Sequence, residues 1–154
     1  MIRRATPEDA SSIFRVHIAS IRGIRGGFYT EAQLNAWCGN REPASYLRPI
    51  AEQFVVVAEV VGEIAGFAQL STPDARVEAV YVHPRFARQG IGERLLNALE
   101  TEARSGGLRQ LRLQASLNAV PFYTAAGYVP GALGEHEVAG GVTVPCVAMT
   151  RALE

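Results

Sequence analysis

Gly90 and Gly92 stand two apart in Arg88-Gln89-Gly90-Ile91-Gly92, after strand-forming residues over 77–82 and before an apolar repeat of helical spacing. A strand feeding a glycine turn and then a helix is an arrangement suited to an anion. The glycines let the backbone approach a ligand closely. The first helical turn then offers amide N–H groups without intrahelical partners at the positive end of its dipole. A pyrophosphate is the natural guest. A Gly-x-Gly ahead of a helix is often only a tight turn. Here, however, Asn118-Ala119-Val120-Pro121-Phe122-Tyr123-Thr124-Ala125-Ala126-Gly127-Tyr128 follows a second strand-like run over 111–116 and brings an amide and a phenol to the same half of the chain.

Together these motifs resemble the GNAT superfamily of N-acetyltransferases, which transfer an acetyl group from acetyl-CoA to an amine. The family's phosphate loop runs Gln or Arg, two residues, Gly, one residue, then Gly or Ala. Gly90 and Gly92 fit it; the first position falls on Ala87, with arginine one place later at Arg88. A loop that acts through backbone amides tolerates that departure. The resemblance implies that backbone groups around Val80 and Val82 pair with the amides of the pantetheine arm, as a missing neighbour strand would, and that a backbone N–H there polarises the thioester carbonyl. It implies that Arg88, Gln89, Gly90, Ile91, Gly92 and Glu93 hold the pyrophosphate. Asn118 takes the place of an asparagine that hydrogen-bonds the CoA arm, and is equally suited to capping a helix. Tyr123 matches a tyrosine that gives a proton to the departing thiolate, a role fitting a phenol with an ordinary pKa of about 10. Phe122 and Tyr128 read as packing residues.

The base that takes the proton of the acceptor ammonium differs among family members. Glu78 is the candidate: strand alternation puts it on one face with Val80 and Val82 unless a bulge intervenes. The plain alternative is an exposed strand glutamate. His83, just before the loop, reads as a turn residue. The resemblance also places much of the acceptor wall on the first two helices and their connection, residues 21–37. Phe28, Tyr29 and Trp37 are the candidates there for substrate binding, although Trp37, at helical spacing from Leu34, equally suits a core. Arg15, Arg22 and Arg25 have no acid among them. They favour an acceptor bearing a carboxylate or phosphate over a polycation, which calls for an acidic trough.

The expected activity is acetyl-CoA-dependent N-acetylation of a primary amine of a small molecule, by direct attack in a ternary complex. A protein or peptide N-acetyltransferase acting on lysine or N-terminal amines, and a non-catalytic acyl-CoA-binding module, are the alternatives. The family often dimerises, and the glycine-rich segment 131–141 reads as a mobile flap.

Composition narrows the remaining classes. Lysine plus arginine equals aspartate plus glutamate at 15 each, so no general basic field exists to hold nucleic acid or an anionic membrane. Cys38 and Cys146 form no C-x-x-C pair and the three histidines are scattered, so no metal-ligand spacing is present and free buried thiols are expected. The amino terminus turns acidic where a signal peptide needs an apolar core, and the apolar run over 54–61 is broken by Glu59 and too short to cross a bilayer. A soluble cytoplasmic protein is expected, its 154 residues forming one domain.

Elements follow from period and punctuation. Residues 2–5 suit a short strand, Thr6-Pro7 a helix start, and Ile13, Val16, Ser20, Ile21 and Ile24 a helix that Gly26-Gly27 ends. Thr30 with Gln33 forms a capping box for a second helix carrying Leu34 and Trp37, which stops near Gly39-Asn40. Residues 54–60 and 64–70 read as a hairpin and 77–82 as a third strand, followed by a helix with Ile91, Leu95, Ala98, Leu99 and Ala103 on one face. Alternation over 111–116, a short helix over 118–126, a strand near Tyr128 and a last strand over 142–149 complete the chain. This order is that of an α/β fold of the GNAT type: a central mixed sheet of six to seven strands with helices on both faces.

Overall fold

The computed structural model describes all 154 residues. Seven strands, β1 (Ile2–Arg4), β2 (Phe54–Val60), β3 (Glu63–Ser71), β4 (Arg76–Val82), β5 (Gln110–Ser116), β6 (Val129–Glu137) and β7 (Thr143–Ala152), form one sheet in the order β1-β2-β3-β4-β5-β7-β6. Every neighbouring pair is antiparallel except β4 and β5. The helices are α1 (Ala10–Arg22), α2 (Glu31–Cys38), α3 (Leu47–Glu52), α4 (Ile91–Ser105) and α5 (Val120–Ala125). No helix is long and apolar enough to cross a membrane.

The sheet is buried on both faces, and its middle strands are accordingly apolar in both parities. Along β2, Val56 and Ala58 face α4 while Val55 and Val57 face α1 and α3. α4 supplies the larger core: Ile91, Leu95, Leu96, Leu99 and Ala103 recur at helical spacing and are all essentially inaccessible. On the opposite face Ile13 and Val16 of α1 and Ile50 of α3 close over Val55, Val57 and Phe67. Gly66 lets the layers meet, because a Cβ there would lie 2.8 Å from the Tyr81 carbonyl oxygen and 3.0 Å from a Leu95 methyl.

Three local readings are corrected. α1 ends at Gly23, whose N–H reaches the Ala19 carbonyl, before the Gly26-Gly27 pair. Residues Leu47–Glu52, which gave no sequence signal, form α3. The segment read as a flap is largely strand: β6 runs nine residues along β7, fully exposed at the far edge of the sheet, with a register irregularity between Pro130 and Leu133. The Thr30 and Gln33 capping box is present, with the Gln33 N–H donating to Thr30 Oγ1 at 3.0 Å and the Thr30 N–H to Gln33 Oε1 at 2.9 Å.

Two polar clusters peg the layers together. Glu100 of α4, 2 % exposed, accepts from the Tyr128 hydroxyl at 2.9 Å and from Arg151 at 2.8 Å, tying α4 to β7. At the other end, Arg3 of β1 grips Asp9 through two nitrogens at 2.8 and 2.9 Å and also pairs with Glu59 of β2. The Thr6 N–H donates to the same Asp9 carboxylate at 2.8 Å. These bonds hold the Asp9 carboxyl below its ordinary value of 3.8, the Arg3 guanidinium first among them. The stabilisation is therefore complete above that value and disappears as pH falls through the depressed one. Asp9→Asn should cost about 1–3 kcal/mol at pH 7, lowering Tm by roughly 3–10 °C. Thermal unfolding followed by circular dichroism should show that gap narrowing toward pH 2, and a gap independent of pH would refute the assignment.

Candidate active site

β4 and β5 run parallel but pair at one position only, Arg76 with Arg112. Beyond it they separate, and the sheet is open between them. The His83 N–H donates to the Ala65 carbonyl at 2.8 Å, which fixes the phase of the β3–β4 ladder. By the alternation of an antiparallel pair, Tyr81 and Ala79 then exchange hydrogen bonds with β3, while the N–H and C=O groups of Val80 and Val82 point into the opening. The Val82 carbonyl accepts from Ser20 Oγ of α1 at 2.8 Å. The other three groups face the gap with no strand to meet them.

The opening is closed at one end by the start of α4. Arg88 adopts φ +63 and Gly90 φ +76, left-handed conformations that turn the chain sharply into the helix. The first bond back into the helix is made by the Arg94 N–H to the Gly90 carbonyl at 3.2 Å, so the N–H groups of Ile91, Gly92 and Glu93 are free at the N-terminus. The two glycines serve different ends. A Cβ at Gly90 would touch nothing, so Gly90 is there for its backbone angle; a Cβ at Gly92 would lie 3.2 Å from the Phe122 ring, so Gly92 lets α4 pack on α5. Val80, Val82, Arg88, Gly90, Ile91, Gly92, Glu93 and Asn118 all line one cleft of about 430 Å³. Gln89 is in the turn but does not line it.

A second cavity, about 310 Å³, lies on the other face of β4. Its walls come from α1, α2, the loop between α2 and α3, β3, β4, β5 and β7. Tyr29 and Trp37 line it, their rings edge-on at 5.4 Å. The Tyr29 hydroxyl also clips the cavity's frame, donating to the Pro145 carbonyl at 2.7 Å and accepting from the Leu117 N–H at 2.8 Å, beside Asn118. Phe28 does not line the cavity; it is exposed. Nor do Arg15, Arg22 and Arg25: Arg15 donates to Ser12, Arg22 to Asn35, and Arg25 to the backbone, all at the surface. The guanidiniums that do line it, Arg41 and Arg76, were not singled out by the sequence.

Glu78 is in this second cavity, because a bulge intervenes. The register of β3 on β4 jumps from Gln69 opposite Ala79 to Leu70 opposite Val77, leaving Glu78 unopposed. The extra residue throws the Glu78 side chain to the Tyr81 face, away from Val80 and Val82. Arg76 approaches it at 3.9 Å. Tyr123 lines neither cavity. It is 7 % exposed, its ring packed edge-on against Phe122 at 5.0 Å and Tyr128 at 5.7 Å. Burial, and secondarily Tyr81, push its phenol well above the ordinary tyrosine value, so it is protonated at neutral pH. Tyr123 hydrogen-bonds no protein group, yet the buried side-chain nitrogens and oxygens without partners are His17 Nε2 and Arg41 Nε alone; the Tyr123 oxygen therefore keeps contact with open space. Cys146, on the second cavity, and Cys38 are both free thiols. No three His, Cys, Asp or Glu side chains are grouped to share a metal ion.

The chain matches the acetyltransferase (GNAT) domain family over residues 28–150. It is similar to the crystal structure of a GCN5-related N-acetyltransferase from Rhodopseudomonas palustris, at 30% identity and a TM-score of 0.93 over 99% of this chain and 95% of that one. PaiA N-acetyltransferase from Thermoplasma acidophilum, solved in complex with coenzyme A, shares the fold at 21% identity and a TM-score of 0.77, covering 99% of this chain and 98% of that one. So does yncA from Salmonella typhimurium, solved with acetyl-CoA, at 20% identity and a TM-score of 0.76, over 100% and 94% of the two chains. No curated protein sequence matches. A sheet parted between β4 and β5, a glycine turn opening α4 beside the gap, and a family match over most of the length lead to one assignment: the chain belongs to the GNAT acetyltransferase family.

Proposed function

We propose that the protein transfers the acetyl group of acetyl-CoA to the primary amine of a small molecule, by direct attack in a ternary complex. The observation that carries this reading is the inner edge of β4, unpaired at Val80 and Val82, beside the free amides of α4 in one cleft. An extended arm with amides of its own satisfies such an edge as a strand would, and a pyrophosphate satisfies such a helix start. The pantetheine of acetyl-CoA then runs along Val80 and Val82. The pyrophosphate rests on the amides from Gly90 to Glu93, Arg88 adds charge at the rim, Gln89 contributes through the turn it helps to form, and Asn118 bonds the arm from the β5 side.

The acceptor enters from the other face of β4. A cavity of about 310 Å³ is of the size that small molecules occupy, which supports a small acceptor over a protein chain. The amine nitrogen attacks the thioester carbonyl, a backbone N–H of the β4 edge stabilises the oxyanion, and the carbon–sulfur bond breaks as the tetrahedral adduct collapses. The proton lost by the nitrogen goes to Glu78, a reading supported by its position on the wall of the second cavity. The thiolate takes its proton from Tyr123, which is protonated at neutral pH. No metal takes part in this scheme.

Titration calorimetry with acetyl-CoA tests the cofactor site. Gly90→Glu puts a carboxylate beside the phosphate position and strains a turn whose φ of +76 suits glycine, so charge and backbone geometry both oppose binding. It should weaken acetyl-CoA about 10- to 100-fold, and unchanged affinity would refute the site. Tyr123→Phe should lower kcat about 100-fold in a CoA-release assay with the KM for acetyl-CoA unchanged. Equal kcat in the variant would remove Tyr123 from the mechanism. Binding of acetyl-CoA with no CoA release on any amine would establish a binding module instead.

A further inference from the structure

The second cavity holds a positive charge that nothing in the protein balances. Arg41 lies half-buried in the loop after α2, and none of the ion pairs of the molecule includes it. Its Nε is buried without a hydrogen-bond partner. The one carboxylate lining the cavity, Glu78, is approached by Arg76, so two guanidiniums face one acid. Taking a guanidinium partly out of water without a counter-charge is costly, and a water molecule that satisfied Nε would leave the charge unbalanced.

A second orphan donor lies in the wall of the same cavity. His17 of α1 is 6 % exposed, and its Nδ1 lies 2.8 Å from the Tyr46 hydroxyl. Burial first, and the Arg41 charge second, push the imidazole down to about 3, so the ring is neutral. Arg41 also approaches the Tyr46 hydroxyl as a donor, so the hydroxyl's own hydrogen is directed at Nδ1 and the ring hydrogen is assigned to Nε2. His17 lines the cavity, and its Nε2 is buried in the wall without a partner. Arg41 is felt by Tyr46 and Tyr81 as well, opposing the rise that burial gives both phenols. The titratable and charged groups around Arg41 are thus His17, Tyr46 and Tyr81 nearby, with Glu78, Arg76, Tyr29, His136 and Cys146 on the remaining walls.

We propose that this cavity recognises the carboxylate of the acceptor: the substrate is a free amino acid, its carboxylate held by Arg41 and the Nε2–H of His17, and its amine presented to the β4 side. This rests on the reading that the second cavity is the acceptor site. It replaces the surface arginines of α1 and the following loop with Arg41 as the source of acid recognition. Apolar wall residues, Trp37, Phe67, Val144 and Pro145, leave room for an uncharged side chain. The cavity's size suits an amino acid.

The test uses the whole protein and a panel of amino acids, each beside its own carboxamide, which has the same shape and amine but no charge. Because that amine is less basic in the amide, rates are compared at a pH where both amines are free; CoA release should then give kcat/KM at least tenfold higher for the preferred acid than for its amide. Arg41→Met should abolish that preference by raising the KM of the acid at least tenfold more than that of the amide, with the affinity for acetyl-CoA unchanged. Because Arg41 has no acidic partner to lose, the Tm of the variant should equal or exceed that of the parent; a lower Tm would mark Arg41 as a structural residue and overturn the proposal. Amides used as well as acids, an equal loss on both in the variant, or no turnover of any amino acid by a protein that binds acetyl-CoA would each overturn it. Failure to bind acetyl-CoA would instead bring down the reading on which it rests.

Discussion

A sheet that parts in its middle leaves backbone groups without partners in a place no solvent-facing edge would put them. β4 and β5 meet at Arg76 and Arg112 and then diverge, and most of what distinguishes this molecule follows from that divergence. A parallel pair joined at one position has little hydrogen bonding to hold it together, so other elements have to set the width of the gap. Ser20 does so from α1, through the Val82 carbonyl. The Tyr29 hydroxyl does so from the β5 side, bridging Leu117 and Pro145. α4 spans the gap from below, its Ile91, Leu95 and Leu99 packed in the core that both halves share. Each of these contacts is short and comes from an element buried on the sheet. The opening is therefore built in, and a ligand that inserts there meets groups already oriented.

The same divergence separates two chemistries. On the α4 face, donors are backbone amides at a helix start, a fixed and weakly selective array suited to phosphate and amide groups. On the α1 face, donors are side chains, Arg41 and His17 among aromatic walls. In the proposed reaction one face handles what all acetyl-CoA enzymes share and the other handles what is particular to this chain. The β4 bulge is the hinge of that division: without it Glu78 would face Val80 and Val82, and the acceptor side would lack its only carboxylate.

The α4 half of the molecule was legible from sequence because its signals are local. A strand, a glycine turn and a fifteen-residue amphipathic helix announce themselves by period and punctuation. The α1 half was legible only in part: the capping box of α2 was, together with Tyr29 and Trp37, while the rest was hidden for identifiable reasons. α3 spans six residues and carries Pro49, too short for a 3.6-residue period to register. β6, with Pro130, Gly131 and Gly134, has a loop composition, and only its pairing with β7 makes it a strand. The bulge at Glu78 leaves no trace in alternation, since one extra residue looks like any other. Arg41 lies in Gly39-Asn40-Arg41-Glu42-Pro43, a stretch that reads as a turn, and its importance comes from what surrounds it in space. Phe28 and the arginines of α1 illustrate the converse, since residue type and position suggested a wall that the fold turned outward.

The two ends of the sheet face the solvent under unequal protection. β1 is three residues long and offers almost nothing for another chain to pair with. β6 is nine residues long, lies last in the order and is exposed throughout, with Leu133 71% exposed. What it carries against strand-to-strand stacking is built into its own sequence: Pro130 lacks an N–H, the irregular register up to Leu133 spoils a flat edge, and Glu135 and Glu137 add charge toward its end. The glycines and proline that made this segment look unstructured are thus the features that keep an ordered edge from becoming a template for aggregation.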